Sequence, residues 1–277
     1  MPRLLRIASV NVNGVRAAYR KGMGDWLAAR DVDILCLQEV RAETDDLTRL
    51  LGGEWSVLHD AATAKGRAGV AIASRRRADI NRVEFGAPDF DSAGRWLEAD
   101  FDVDGTIVTV VSVYVHSGEV DTPKQVEKYK FLDAMVDRLP ELEKHNPLAV
   151  IMGDLNVGHR TLDIKNWKGN VKRAGFLPTE RAYFDRILGA EGDDLYNAGG
   201  GLGWVDLGRR FAGETPGPYT WWSNMGKAFD NDTGWRIDYQ LATSALAARA
   251  RSYTVDRAPS YAERWSDHAP VVVDYDI

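Results

Sequence analysis

Two polar side chains follow the most apolar run of the sequence at a spacing that could place them in one site. Residues 148–152, LAVIM, predict a buried strand that stops at Gly153, and Asp154 and Asn156 come directly after it. Side chains two residues apart point to the same side, and the carboxyl edge of an α/β sheet is where catalysis usually takes place. Gly-Asp and Asn-Val-Gly are also ordinary turn sequences, so this stretch alone supports a site and a turn equally.

The same arrangement recurs along the chain, where further predicted strands and loops end in an amide, a carboxylate, a phenol or an imidazole. These ends carry Asn11, Glu39, Tyr114 and the Asp267–His268 pair, and Asp238 lies within another predicted strand. A hard cation such as Mg²⁺ prefers oxygen ligands and needs only one or two carboxylates. Zinc is less well supported, because these motifs offer one histidine and no cysteine at the spacing of a closed site. The adjacent aspartate and histidine also indicate acid–base or phosphate-binding chemistry.

A basic segment follows the first of these motifs. Residues 161–176, TLDIKNWKGNVKRAGF, interleave lysines and an arginine with Trp167 and Phe176. Such a loop could follow a phosphodiester backbone, although its composition alone favours a charged surface loop.

The overall composition is that of an ordinary globular protein. The chain has 277 residues, of which 44% are hydrophobic, and its formal net charge of −6 gives no global positive field. A site for a polyanion must therefore be a local patch or use a bound metal. The single cysteine, Cys36, excludes an internal disulfide, and no apolar run approaches the roughly 20 residues that span a bilayer. We expect a cytoplasmic protein without a signal peptide or a membrane contact.

The elements that must position these residues alternate between strands and helices. Apolar and β-branched runs predict strands at residues 4–11, 33–37, 55–59, 69–74, 96–103, 105–114, 148–152, 235–243 and 269–275. Helical spacing predicts helices at residues 24–30, 43–51, 122–139 and 179–188. No linker interrupts the chain, so residues 1–277 are expected to form a single domain, and a faint echo between its halves suggests two packed α/β layers.

Six motifs in a fixed order carry a specific resemblance: VNVNGVRA, LCLQE, YVHSG, GDLNVGH, WRIDYQLAT and SDHAPVVV. From about Ile7 to the C-terminus, the chain resembles the exonuclease III family of apurinic/apyrimidinic (AP) endonucleases. This family belongs to the endonuclease/exonuclease/phosphatase superfamily, together with deoxyribonuclease I. GDLN and SDH mark only the superfamily, whereas the basic segment and WRIDY point to the exonuclease III branch. The resemblance implies an α/β fold, a four-layer α/β/β/α sandwich of two packed, mainly antiparallel or mixed β-sheets flanked by helices.

The resemblance also implies roles for the site residues. Glu39 would be the principal metal ligand, and the wider metal site would include Asn11, Asp154, Asn156, Asp267 and His268. Asp154 would activate or orient the attacking water, and Asn156 would bind the phosphate. Tyr114 would contact the phosphate or the leaving oxygen, and His268, paired with Asp238, would stabilise charge in the transition state. Whether Asp154 or His268 is the general base stays open.

For DNA, the resemblance implies two binding regions. The base-free deoxyribose would enter an apolar pocket lined by Trp221, Trp222 and Trp235. The DNA backbone would be held by Lys165, Asn166, Lys168, Asn170, Lys172 and Arg173. The sequence departs from the family pattern at Asn13, where some relatives carry an acid, at His116 and Ser117, which replace a proline-containing sequence, and at Trp167, where proline is common.

The expected function is that of a Mg²⁺-dependent (or Mn²⁺-dependent) DNA repair nuclease of base excision repair. As a monomer it would bind double-stranded DNA, cleave 5′ to abasic sites, and remove nucleotides and blocking groups from 3′ ends. Two alternatives remain: a phosphoesterase acting on inositol phosphates or sphingomyelin, and a DNA- or protein-binding module with an inactive site. The basic segment and the tryptophans argue against the first, and the intact set of site residues argues against the second.

Overall fold

Two six-stranded β-sheets, packed face to face, form the centre of the computed structural model, which describes residues 4–63, 66–83, 85–91, 93–189 and 200–277. The strands are β1 (Leu5–Asn11), β2 (Ile34–Gln38), β3 (Ser56–Asp60), β4 (Val70–Ser74), β5 (Ile80–Arg82), β6 (Trp96–Val103), β7 (Thr106–Tyr114), β8 (Ala149–Asp154), β9 (Val205–Asp206), β10 (Asp238–Ala242), β11 (Ala250–Val255) and β12 (Val271–Tyr275). The α-helices are α1 (Val15–Arg20), α2 (Met23–Arg30), α3 (Thr44–Leu51), α4 (Pro123–His145), α5 (Pro178–Leu188), α6 (Leu207–Ala212) and α7 (Ser244–Ala247).

Both sheets are mixed. The first has the strand order β11-β12-β1-β2-β4-β3, and only its β1–β2 pair is parallel among the pairs described. The second has the order β5-β6-β7-β8-β10-β9, and β7 runs parallel to β8 while its other pairs are antiparallel. The two parallel pairs occupy the middle of their sheets, where the polar strand ends of the sequence are found.

Alternating side chains divide each sheet into an inner and an outer face. Between the sheets, Ile7 and Ile72 of the first sheet belong to one core cluster with Phe101, Val110 and Met152 of the second. All five side chains are at most 1% exposed, so this layer is a dry interior.

Helices cover both outer faces. On the first sheet, Val10 packs in a cluster with Leu47 of α3, and on the second, Ile151 packs with Phe131 of α4 and Phe184 of α5. The four-layer α/β/β/α sandwich predicted from the resemblance is confirmed. In the described part of the chain, no helix combines the length and apolar character that a membrane crossing requires.

One strand differs from its prediction in a way that matters for the site. Strand β8 does not stop at Gly153 but continues through Asp154. Gly153 adopts φ +145°, and a Cβ there would lie 2.0 Å from the carbonyl oxygen of Val113, so only glycine lets β8 remain against β7 at this point. Asp154 is therefore held by sheet pairing and does not lie in a turn.

Two other bounds differ as well. The segment predicted as a strand from residue 235 becomes regular only at Asp238, the first residue of β10. Helix α4 continues past Pro140 to His145, because Leu142 in its last turns is fully buried in the core of the second sheet.

Candidate active site

Three predicted site residues lie side by side at the end of the second sheet. The strand register pairs Tyr114 of β7 with Asp154 of β8, and Asp154 with Asp238 of β10. The parallel strands of the first sheet end nearby, β1 at Asn11 and β2 at Gln38, just before Glu39. The polar ends of both sheets thus meet at one edge of the sandwich.

The amide of Asn11 joins the two sheets. Its Nδ2 donates to Oε1 of Glu39 at 3.0 Å and to Oδ2 of Asp154 at 2.9 Å. Its Oδ1 accepts the backbone N–H of Asn13 at 3.0 Å. Asn11 is fully buried, so its donor groups fix the separation of two carboxylates that would otherwise repel each other.

Glu39 is held from several directions. Its Oε1 also accepts the hydroxyl of Tyr114 at 2.7 Å, and its Oε2 forms an ion pair with Arg41. The backbone of Glu39 is left-handed, with φ +50°, and its carbonyl accepts the N–H of Gly14 at 2.8 Å. Such a conformation in a non-glycine residue persists only where its surroundings impose it, and here it turns the carboxylate into the cleft.

Asp154 and Asn156 form a compact unit. The backbone N–H of Asn156 donates to Oδ1 of Asp154 at 3.0 Å, and its Nδ2 donates to Oδ2 of Asp154 at 3.1 Å and to the carbonyl of Val115 at 2.9 Å. Burial, reinforced by the charges of Asp238 and Glu39, raises the pKa of Asp154 to about 7, against the opposing effects of His268 and Asn11. This carboxylate can therefore exchange a proton near neutral pH.

His268 is paired with Asp238. Its Nδ1 lies 3.1 and 2.9 Å from the two carboxylate oxygens of Asp238, and its Nε2 lies 3.8 Å from Oδ2 of Asp154. Burial alone would lower the pKa of His268, but the charges of Asp238 and Asp154 outweigh it and raise that pKa to about 10. The ring is accordingly an imidazolium at neutral pH, with Nε2 directed toward the side of Asp154.

The donor set fits a hard divalent cation. Ligand atoms of Asp154, Asp238 and His268 all lie within 4.8 Å of one another, and Glu39 adds a carboxylate that lines the same cleft. Asp267 also lines the cleft and accepts hydrogen bonds from Asn13 at 2.9 Å and Trp221 at 3.1 Å. Carboxylate oxygens without a thiolate suit a hard divalent cation, and His268, while protonated, would not be one of its ligands.

The cleft has a volume of about 560 Å³ and gathers most of the predicted chemistry. Its lining includes the predicted residues Glu39, Tyr114, Asp154, Asn156, Arg173, Trp221, Trp235, Asp267 and His268. Asn11 and Asp238 lie behind it, as buried partners of these residues.

An apolar corner of this cleft is formed by two of the predicted tryptophans. The rings of Trp221 and Trp235 meet edge to face, with centroids 6.0 Å apart, and Ile237 lies beside them in the lining. Backbone bridges connect Trp221 both to Trp235 and to His268, so this corner borders the polar groups directly. Sequence reasoning missed Ile237, although its place inside the WRIDY motif could have indicated it.

The structure does not support the predicted pocket role of Trp222. This ring is 1% exposed, packs edge to face against Phe229, and donates from Nε1 to Asp232 at 3.0 Å. Consecutive residues in an extended segment point to opposite sides, so Trp221 faces the cleft and Trp222 faces the interior. Trp222 therefore does not line the cleft, where the prediction places it beside Trp221 and Trp235.

The basic segment forms a second concave surface, of about 570 Å³, beside the cleft. It is lined by Lys165, Asn166, Trp167, Lys168, Gly169, Asn170 and Arg173. Lys172 is exposed next to it, and Arg173 lines both concavities. The predicted backbone-binding residues are therefore grouped on one face that leads into the cleft.

Several lining residues were not predicted. Arg41, Ser117, Gly118 and Gly175 line the cleft together with the predicted set. Arg41 lies two residues after Glu39, close enough to the LCLQE motif to have been considered. For Gly175 the sequence offers no indication, since its importance is spatial: a Cβ there would lie 2.9 Å from the ring of Trp235.

Comparison with known proteins agrees with this geometry. Residues 8–268 match the model of the endonuclease/exonuclease/phosphatase family. An exodeoxyribonuclease of Bacillus subtilis is 31% identical over 96% of this chain and 98% of its own length. Among solved structures, a 3′ phosphatase from Neisseria bound to a product DNA hairpin has a TM-score of 0.84 at 26% identity, covering 99% of this chain and 100% of that one. An AP endonuclease from Archaeoglobus fulgidus has a TM-score of 0.81 at 28% identity, with the same coverage.

The family model spans nearly the whole chain, and the curated relative matches along almost its full length. The two solved structures share the fold of this chain over 99% of its length. This chain therefore belongs to the endonuclease/exonuclease/phosphatase family and, within it, to the exonuclease III family of AP endonucleases.

Proposed function

We propose that this protein is a Mg²⁺-dependent nuclease of base excision repair that cleaves duplex DNA 5′ to abasic sites and removes nucleotides and blocking groups from 3′ ends. The observation that carries the proposal is the set of side chains found together at one cleft. Buried carboxylates and an imidazolium lie beside an apolar corner made by Trp221 and Trp235, and Arg173 connects this cleft to the basic segment.

The order of the two pKa values supports Asp154 as the general base. With a pKa of about 7, Asp154 is partly deprotonated at neutral pH and can accept a proton from the attacking water. His268, with a pKa raised to about 10 by Asp238, keeps its proton and serves as a positive charge for the phosphate. On these assignments Asp154, and not His268, would be the general base.

The remaining polar groups would act on the phosphate. Asn156 has an amide at the cleft wall, and the hydroxyl of Tyr114 stays protonated because burial raises its pKa far above neutral pH. In this structure Asn156 donates to Asp154 and Val115, and Tyr114 donates to Glu39. Each would exchange one of these hydrogen bonds for a bond to a phosphate oxygen whose negative charge grows in the transition state. Glu39 with Asp267 would hold the Mg²⁺, or Mn²⁺ in its place, and the bound cation supplies positive charge to the phosphate oxygens.

Substrate choice would follow from the shape of the cleft. A base-free sugar leaves the helix at little cost and fits an apolar corner such as that of Trp221, Trp235 and Ile237. The basic segment would bind the backbone beside it through charges that compensate the acidic net charge of the chain. Relatives described as an exodeoxyribonuclease, a 3′ phosphatase and an AP endonuclease support the proposed range of reactions.

The test is an incision assay on a duplex with one abasic-site analogue and on a matched duplex with a 3′-phosphate. We expect incision 5′ to the analogue and release of phosphate with Mg²⁺, and neither reaction with a chelator. A matched undamaged duplex with blocked ends is the control. Absence of Mg²⁺-dependent incision would reject the proposal, and turnover of a soluble inositol phosphate in its place would favour the alternative phosphoesterase.

We further propose that residues 1–277 act as one domain and as a monomer in the cytoplasm. The site supports a single domain, because its residues come from both sheets. Sedimentation at concentrations that span the assay range would test the monomer.

A further inference from the structure

A lysine with no exposed side-chain surface lies directly behind the proposed site. Lys128, on helix α4, has a side-chain exposure of 0%, and so has its partner Glu180 of α5. Its Nζ lies 2.7 Å from Oε1 of Glu180. An ammonium group buried this deeply cannot touch DNA, and its burial costs several kcal/mol unless every donor is satisfied.

The other two acceptors of Lys128 are backbone carbonyls of residues at the cleft. Its Nζ donates to the carbonyl of Asn156 at 2.9 Å and to the carbonyl of Ser117 at 3.3 Å. Ser117 and Asn156 both line the cleft; Ser117 lies in the segment after β7 and Asn156 in the segment after β8. The ammonium group of Lys128 thus joins these two segments from their buried side.

Both segments are closely constrained where they meet Lys128. Asn156 has a left-handed backbone, with φ +51°, which a non-glycine residue keeps only where its peptide groups are held. Gly118, with φ +74°, approaches α4 so closely that a Cβ there would lie 2.5 Å from Oε1 of Gln125 and 3.0 Å from Cδ of Lys128. The loop after β7 therefore packs against the side chains of α4, and the ammonium group of Lys128 binds the carbonyl of Asn156.

The partner is itself anchored. Oε1 of Glu180 also accepts from Gln125 at 2.9 Å, and Oε2 accepts the backbone N–H of Leu177 at 2.9 Å, at the start of α5. Replacing a buried ion pair by apolar or neutral groups is often neutral for stability, so stability alone does not require this lysine.

We propose that Lys128 is a positioning residue for the nuclease reaction: it holds the carbonyls of Ser117 and Asn156 and thereby sets the place of the Asn156 amide against the phosphate. This inference rests on the proposed function for its kinetic consequence but not for its structural one. An error of about 1 Å in a group that binds the transition state lowers the rate about a hundredfold.

The test compares three variants with the wild type. Lys128→Met with Glu180→Gln removes the cation and its counter-charge together and keeps the volume. Glu180→Gln alone weakens the ion pair but leaves both bonds to the carbonyls. Lys130→Met removes a lysine of the same helix that pairs with Glu127 on the exposed surface, at 2.9 Å.

In the double variant we expect kcat on the abasic duplex to fall at least about tenfold with KM within about twofold, because Asn156 acts mainly in the transition state. Glu180→Gln should keep kcat within about threefold, and Lys130→Met should match the wild type. Hydrogen exchange should accelerate at backbone amides of residues 115–118 and 155–158 in the double variant only.

The outcomes are separable. If the wild type cleaves DNA and the double variant keeps the kcat of Glu180→Gln, the inference is overturned. If the wild type does not cleave DNA, the proposed function fails, and the exchange measurement alone decides the inference. Unchanged protection of both segments in the double variant overturns it in either case.

Discussion

Replacing Trp221 and Trp222 by alanine, one at a time, should affect different properties of the protein. Trp221 lines the cleft, bridges to Trp235 and donates to Asp267. Trp222 is 1% exposed and packs in a small cluster with Phe229, with the guanidinium of Arg257 5.3 Å from its ring centroid. We therefore expect Trp222→Ala to act on stability and Trp221→Ala to act on catalysis.

The magnitudes follow from burial. Removal of a buried tryptophan costs about 3–5 kcal/mol. For 277 residues, the usual unfolding entropy per residue gives about 0.6 kcal/mol per kelvin, so Trp222→Ala should lower Tm by about 5–9 °C. Trp221 is partly exposed, and its loss should cost about 1–2 kcal/mol in stability, or less than about 4 °C. An apolar contact worth about 1.5–3 kcal/mol to the flipped sugar would lower kcat/KM on the abasic duplex about ten- to a hundredfold.

The assay combines thermal unfolding with incision kinetics at 25 °C, where both variants remain folded. Trp222→Ala should retain kcat/KM within about threefold. The reasoning is refuted if Trp222→Ala unfolds like the wild type and loses activity on abasic sites, because the ring would then belong to the pocket after all. It is equally refuted if Trp221→Ala has unchanged kinetics.

Three further substitutions test the other parts of the site. Asp154→Asn should lower kcat by at least about a hundredfold while fluorescence anisotropy shows unchanged DNA affinity, since it removes the proposed base and keeps the volume; wild-type turnover would exclude that role. Changing Lys168 and Lys172 together to glutamine should reduce the slope of log K against log salt by about 2, and an unchanged slope would remove both from the DNA contact. Asp238→Asn should lower the pKa of His268, so the variant would lose the imidazolium as pH rises. The ratio of its activity at about pH 8.5 to that at about pH 6.5 should be about tenfold lower than the wild-type ratio. An identical pH profile would mean that the charge of His268 is not used.

The regular part of the fold could be predicted because its signals are local. The strands β2, β6 and β7 and helix α3 follow from apolar runs and helical spacing within short windows, and their bounds agree with the structure within a residue or two. Helix α1, with six residues, and strand β9, with two, are too short for any period to show. Strand β11 is an edge strand with mixed burial, and it exists because β12 offers a pairing partner rather than because of its own pattern.

The sequence predicts which residues belong to the site but not how they are arranged in space. Motif resemblance selected Asn11, Glu39 and Asp154, yet the hydrogen bonds that join them connect positions 28 and 143 residues apart. The first bond depends on the pairing of β1 with β2 and the second on the packing of one sheet against the other, and no local pattern records either. For the same reason the sequence does not show that Trp222 lies outside the cleft, and it shows Lys128, buried behind the cleft, only as part of a helix.

The backbone at the site explains why its geometry is preformed. Asn13, Glu39, Arg41 and Asn156 all have left-handed conformations, with φ of 46°, 50°, 50° and 51°. Each such residue costs about 1–3 kcal/mol and persists only where its surroundings hold it. Here they do: the carbonyl of Glu39 accepts from Gly14, the N–H of Asn156 donates to Asp154, and the N–H of Asn13 donates to Asn11. At these residues the chain turns sharply after a strand, while the polar side chains stay at the edge of the sandwich. The packing of the two sheets therefore offsets the backbone strain and holds the donors and carboxylates in place before any phosphate binds.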